Sequence, residues 1–253
     1  MQQIADAFWN IRGSFKIAKV IDIGTQMSVV RRANGRFLLI DSYAVEGEDK
    51  RQLMEMTGSG AAIDAIINVH PFHTLHCSKL HDLFPDARMI GTARHKRQAP
   101  RIKWDEGVIE DPKTQAEFGH DLEFSVPAGL DLVTDDDSVH AASVLVRHKA
   151  SGVVHVDDTL NVLAGPGLMK RLLPQSRLKF HPKLSAALQP RAGAADDFTR
   201  WARDLADDWA STRTVCAAHS AVRELPAEGW RDEVRQALSD VEDTLAKHRA
   251  EYG

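Results

Sequence analysis

The sequence has 253 residues, 43% of them hydrophobic and 27% charged, with a formal net charge of −4. That length can bury a sizeable core, and the composition is ordinary for a globular protein. The negative balance excludes nonspecific nucleic-acid or acidic-membrane binding as the main role, and no stretch approaches the roughly 18 apolar residues of a membrane span.

In chain order, Phe15–Ile23, Met27–Arg32 and Arg36–Ile40 read as strands. Asn34-Gly35 between the last two is a hairpin signal. Ile40 runs into Asp41, a carboxylate at a strand's end. A helix is expected over Glu48–Met56, closed by Gly58-Ser59-Gly60. Ala65–Val69 is apolar without alternation, as a strand covered on both faces would be. It ends at His70-Pro71, and a helix over Thr74–Phe84 leads to a strand at Met89-Ile90. The basic stretch Arg94-His95-Lys96-Arg97, with Arg101 and Lys103, reads as a solvated loop.

The middle returns to strands at Leu122–Val126, Leu130–Val133, Ser143–Arg147 and Val153–Val156, with a hairpin at Lys149–Gly152. Gly165-Pro166-Gly167 is a turn and not a phosphate loop, since the Lys-Ser/Thr of a P-loop is missing. Asp196–Ala210 and Glu228–Lys247 carry apolar residues at helical spacing, the Trp201 and Trp209 stripe being packing against a sheet. Between them Thr214–Ala218 is a strand leading into His219. Arg191–Ala194 is the best hinge candidate, taken as a loop inside one domain spanning residues 1–253. The two cysteines, Cys77 and Cys216, are too few for a disulfide framework. Residues 1–6 lack the basic and apolar runs of a signal peptide, so a cytoplasmic protein is expected.

Several of the twelve histidines fall at ends of predicted strands. His70, His73 and His76 cluster, His140 opens a strand, Asp158 closes one, and His219 follows another. Imidazole with carboxylate is the donor set that zinc and iron use, and strand ends hold such donors with little positional error. His76 is close enough to lean over the site, but reads first as a polar helix position. Cys77 lacks a visible electropositive setting for a nucleophile. His155 is read as a structural residue pointing away from the site. By strand alternation Asp157 faces opposite to Asp158.

The order of these features resembles the metallo-β-lactamase superfamily. That family has a strand ending in His-x-His-x-Asp-His, a lone His, a Gly-Asp-Thr-Leu-like strand end and a terminal His after a strand. Residues Asn68–His73 match the first motif, with His70 and His73 on its second and last histidines. His140 matches the lone His, Asp158 the bridging Asp (with Asp157 where Gly is usual), His219 the final His, and Asp41 an acidic position ending an early strand. The segment Gly91–Asp105 is similar to a poorly characterised branch of that superfamily with reduced metal sites. The resemblance covers Phe15–His219 and implies an α/β fold, the four-layer αββα sandwich.

Two departures stand out. The first His of the motif is Asn68, and its Asp is Phe72. Asn is a poor zinc ligand and Phe is none, so the resemblance implies at most one zinc or iron ion. Its metal ligands would be His70, His73, His140, Asp158 and His219, with Asp158 and His140 as the catalytic pair and Asp41 orienting them. Two readings follow. One is a mononuclear metal-dependent hydrolase of an ester, lactone, thioester or phosphodiester. The other is a noncatalytic ligand- or partner-binding protein on a degenerate scaffold, with no ion. An iron redox protein would need a fuller carboxylate set. A small-molecule substrate or ligand is expected and a homodimer is permitted, whereas nucleic acid and membrane are not partners.

Overall fold

A computed structural model describes residues 1–13, 16–17, 21–22, 24–136, 138–162, 177–218 and 222–253. The chain forms two compact units, one of residues 1–124 with 146–155 and one of 125–145 with 156–253. Among the described residues no helix is long and apolar enough to cross a membrane.

The first unit is built on strands β1 (Gln2–Ala5), β2 (Phe8–Gly13), β5 (Thr25–Arg31), β6 (Phe37–Ile40), β7 (Ile63–Ile67) and β8 (Arg88–Ile90), side by side in the order β1-β2-β5-β6-β7-β8. The short pieces β3 (Lys16–Ile17) and β4 (Ile21–Asp22) pair with one another, where a single strand was expected over Phe15–Ile23. β1 and β2 are absent from the sequence reading. Asn10 and Arg12 alternate with apolar residues there, and β2 is held by six register pairs to β5, from Phe8↔Val30 to Gly13↔Thr25. The expected hairpin joins β5 to β6, with Gly35 at φ 82 where a side chain would strain the turn.

β6, β7 and β8 run parallel. Their residues, Leu38–Ile40 and Ala65–Ile67, are wholly buried, as the unbroken apolar runs require. Between them come α1 (Gly47–Met56) after β6 and α2 (Cys77–Leu83) after β7. Leu53 of α1 and Leu80 of α2 enter a core with Ile11, Met27, Val29, Leu39, Ile66 and Met89. Burying a side chain of this size stabilises by about 2 kcal/mol. The basic stretch forms a short helix, α3 (Ala93–Gln98), where a loop was expected. Its start is fixed by reciprocal caps: Thr92 Oγ1 accepts the His95 N–H, and His95 Nδ1 accepts the Thr92 N–H. A further helix, α4 (Pro112–Ala116), begins with Asp111 as N-cap and Pro at its first position.

After β9 (Leu122–Ser125), β10 (Leu145–His148) and β11 (Val153–Val156) form the expected hairpin, with Val146 opposite His155.

In the second unit Leu130 makes one isolated bridge, to Leu188, instead of the strand expected over Leu130–Val133. β12 (Leu160–Val162) pairs with β13 (Leu178–Phe180), and β14 (Thr214–Ala217) with β15 (Val222–Glu224). α5 (Leu184–Ala187) precedes α6 (Ala194–Asp208). Of the tryptophans expected to pack against a sheet, Trp201 does so, its ring 6.1 Å from that of Phe180 in β13 and its Nε1 donating to Ser125 Oγ at 2.8 Å. Trp209, just past α6, instead meets the helical Trp230 at 6.1 Å. The last predicted helix is two, α7 (Gly229–Asp240) and α8 (Glu242–Tyr252), broken at Val241. The turn expected at Gly165–Gly167 lies outside the described residues.

Candidate metal centre

The carboxyl ends of the parallel strands β6 and β7 place the chemistry of the first unit, as open α/β sheets commonly do. Beyond β7 the chain continues Asn68-Val69-His70, all three wholly buried. It then turns at Pro71, closed by the His73 N–H on the His70 carbonyl at 3.0 Å. This turn stacks the rings of His70 and His73 with centroids 4.0 Å apart and planes 21° from parallel. Nδ1 of His70 accepts the Phe72 N–H at 3.2 Å, which fixes the ring's rotation. One ring nitrogen each of His70 and His73 lie within 4.8 Å of one another, and a carboxylate oxygen of Asp41 lies within the same distance of a His73 nitrogen.

Asp41 follows β6 directly and is buried. Its Oδ1 accepts the Val69 N–H at 2.8 Å, and its Oδ2 lies 3.1 Å from His155 Nε2. Its φ of 63 is the left-handed conformation, which Asp tolerates better than most residues. His155 is therefore not a residue turned away from this region. Its side chain is fully buried against Asp41, and its Nδ1 lies 2.9 Å from Ser28 Oγ. The sequence carried a signal for both. Ser28 and His155 each interrupt an apolar strand, and a polar group buried there needs a partner.

The two departures from the family motif have structural roles. Asn68 Oδ1 accepts from Ser42 Oγ at 2.6 Å and from Cys77 Sγ at 3.4 Å, while its Nδ2 donates to the Ile90 carbonyl at 3.2 Å. Its amide ties three elements together and has no call to ligate. Phe72 offers its ring face to the Arg94 guanidinium, 3.9 Å from the centroid, and Arg94 Nη1 donates to the Pro71 carbonyl at 3.3 Å. Burial pushes the Cys77 thiol up to about 12, which leaves it without the thiolate a nucleophile needs.

His95 was not among the expected site residues. It is wholly buried; burial first, and then the nearby His70 and His73, hold it down at about 3. Its Nε2 has no hydrogen-bond partner among the described residues. His76, read as a helix position, forms the N-cap of α2 and packs edge-on to Tyr43 at 5.2 Å.

The other expected site residues belong to the second unit. His140 is half-buried and precedes no strand directly, since β10 begins only at Leu145. Asp157 and Asp158 are both buried and lie past the end of β11, so strand alternation does not govern where they point. The Asp158 carbonyl accepts from Asn161 Nδ2 at 2.8 Å, and Thr159 Oγ1 accepts the Ser143 N–H at 2.8 Å. These bonds brace the turn that carries the two aspartates. His219 lies outside the described residues.

No family model matches the sequence, and no curated protein matches it significantly. Solved structures do. A metallo-β-lactamase from Erythrobacter litoralis, with β-mercaptoethanol in its active site, superposes with a TM-score of 0.60 at 14% identity, over 96% of this chain and 95% of that one. FIM-1 from Pseudomonas aeruginosa, in a mono-zinc form, gives 0.60 at 11% identity over 95% and 94%. The metallo-β-lactamase from Pontibacter korlensis gives 0.60 at 11% over 96% and 98%. The fold expected from the motif order is the one these structures have, and at such identities the likeness establishes the fold alone.

Proposed function

We propose that this chain, which has the metallo-β-lactamase fold, is a mononuclear metal-dependent hydrolase of an ester, lactone, thioester or phosphodiester. The observation that carries the reading is the stacked pair of buried His70 and half-buried His73 beyond the end of β7, beside an anchored carboxylate. Two neighbouring imidazoles are a donor set that fits zinc or iron. His140, Asp158 and His219 enter the reading as further ligands on motif order alone. When bound, such an ion supplies a water of pKa about 7 and a Lewis acid for a carbonyl or phosphoryl oxygen.

The chain's own residues account for the rest. The Phe72 N–H sets the rotation of His70, and Asp41 holds the Val69 backbone that leads into it. With Asn68 and Phe72 engaged elsewhere, two donors of a dinuclear motif are lost, which supports one ion over two. The mono-zinc form of the Pseudomonas aeruginosa neighbour is a precedent on this fold.

A second reading, a noncatalytic ligand-binding protein, draws on the same two positions. Asn68 acts as a structural tie, and Phe72 carries a cation–π contact where the family motif has a carboxylate. Elemental analysis of protein purified without chelator separates the two. We expect close to one zinc or iron per chain, lost in His70→Ala and His73→Ala. Less than about 0.1 ion per chain after supplementation would sink the hydrolase reading. With metal present, turnover of ester, lactone and phosphodiester panels that disappears in Asp158→Ala would tie activity to these residues.

A further inference from the structure

Three polar side chains of the first unit are linked in series by hydrogen bonds. Ser28 Oγ and His155 Nδ1 are 2.9 Å apart, His155 Nε2 and Asp41 Oδ2 3.1 Å, and Asp41 Oδ1 takes the Val69 N–H at 2.8 Å. Asn10 Nδ2 donates to Ser28 Oγ at 3.1 Å and extends the chain by one member. Asn10 lies directly opposite Ser28 in the β2–β5 register, so strand periodicity puts both on one face. Ile40 lies opposite Ser28 on the other side. Simple alternation would therefore send the next residue, Asp41, to the opposite face. Its left-handed φ of 63 turns it back to meet His155.

Serine, histidine and aspartate in series suggest a nucleophilic triad, but burial decides against one. Ser28 and His155 are 0% exposed, so no substrate reaches the hydroxyl. What the chain can do is hold an atom in place. Its last link is the backbone N–H of Val69, the residue before His70.

We infer that His155, braced by Ser28, is a positioning residue. It orients Asp41, and Asp41 fixes the backbone from which His70 and His73 project. For what those histidines then hold, the inference rests on the metal reading above. A buried carboxylate with one partner gone would rotate or draw in water, and the Val69 anchor would loosen. Partners of this kind are typically worth about 10–100-fold in metal affinity.

The test uses the full chain in His155→Phe, His155→Gln and Ser28→Ala, with amide hydrogen exchange followed residue by residue in the absence of metal. Gln can still donate from Nε2 to Asp41, and Ser28→Ala removes only the brace. In His155→Phe the Val69 amide should exchange roughly tenfold faster, the factor carried by one hydrogen bond of ordinary net strength. The Phe37 amide, bonded to the Ala62 carbonyl at the other end of the parallel strands, should keep its rate. His155→Gln should recover much of the Val69 protection, and Ser28→Ala should lie between. Equal acceleration at Val69 and Phe37, or none at either, overturns the inference, and if His155→Phe does not fold, the same pair of amides in Ser28→Ala decides. Cobalt(II) titration then reads the consequence, with weaker binding and an altered absorption spectrum in His155→Phe restored by Gln. If wild-type protein takes up neither cobalt nor zinc, the metal reading fails, and the exchange comparison still judges the positioning role.

Discussion

Replacing Asp41 by Ala tests how much of the first unit's stability runs through that carboxylate. The change strips the acceptor from the Val69 N–H and from His155 Nε2, both wholly buried. Each orphaned donor costs about 1–3 kcal/mol. Ala at a φ of 63 adds about 1 kcal/mol, since Asp tolerates this conformation better. The sum is about 3–7 kcal/mol, a large part of the roughly 5–15 kcal/mol that holds a typical domain. Urea unfolding at pH 7 should show the midpoint falling by roughly 1.5–3.5 M for an m of about 2 kcal/mol/M. Asp41→Asn is the control. It keeps an acceptor for Val69, and its amide can donate to His155 Nε2 once the imidazole proton moves to Nδ1 and bonds Ser28 Oγ. Its cost should stay below about 1.5 kcal/mol. A loss under about 1 kcal/mol in Asp41→Ala, or an equal loss in both variants, refutes the reasoning.

Burial holds His95 near 3, below its ordinary 6.5; the unfolded chain takes up a proton that the folded one refuses, so stability is lost as pH falls from about 6.5 toward 3. Urea midpoints of His95→Phe should decline less steeply than wild type between pH 6.5 and 4.5, and parallel profiles contradict this. With its thiol raised to about 12 inside the core, Cys77 should react with a disulfide reagent only on unfolding; rapid labelling of the native protein at pH 8 counts against it. Gly129 has a φ of 76, and a Cβ there would sit 2.1 Å from the Ala194 carbonyl oxygen, a backbone atom that cannot swing aside. Gly129→Ala should therefore cost about 3 kcal/mol or more, and a loss under about 1 kcal/mol shows that the loop can give way. Glu233 accepts the Leu178 N–H at 2.9 Å and pairs with Arg223 in a partly buried setting. Glu233→Ala should cost about 3 kcal/mol, most of it unrecovered by Arg223→Ala in a double-mutant cycle, because Leu178 stays unpaired.

Much of this was legible along the chain. Unbroken apolar runs located the parallel strands, Asn34-Gly35 located a hairpin, and the residues beyond β7 carried the histidine cluster. Local grammar failed where a distant partner outweighed it. Charged α3 looked like a loop because its stabilising feature, the reciprocal Thr92 and His95 caps, has no standard signature when His replaces Glu or Gln. β2 was missed because its polar residues, Asn10 and Arg12, are held by Gln26 and Ser28 across the sheet.

For the site, the sequence by itself determined which donors stand at which strand end, and that Asn68 and Phe72 break the family's pattern. It could say that Ser28 and His155, set among valines, each needed a polar partner. Only the tertiary structure decided that they partner one another and Asp41, across 127 and 114 positions of chain. The reason is physical. A hydrophobic pattern says which face a residue takes, but pairing depends on register, on the stacking of one strand layer against another, and on the left-handed backbone of Asp41 that turns its carboxylate toward His155.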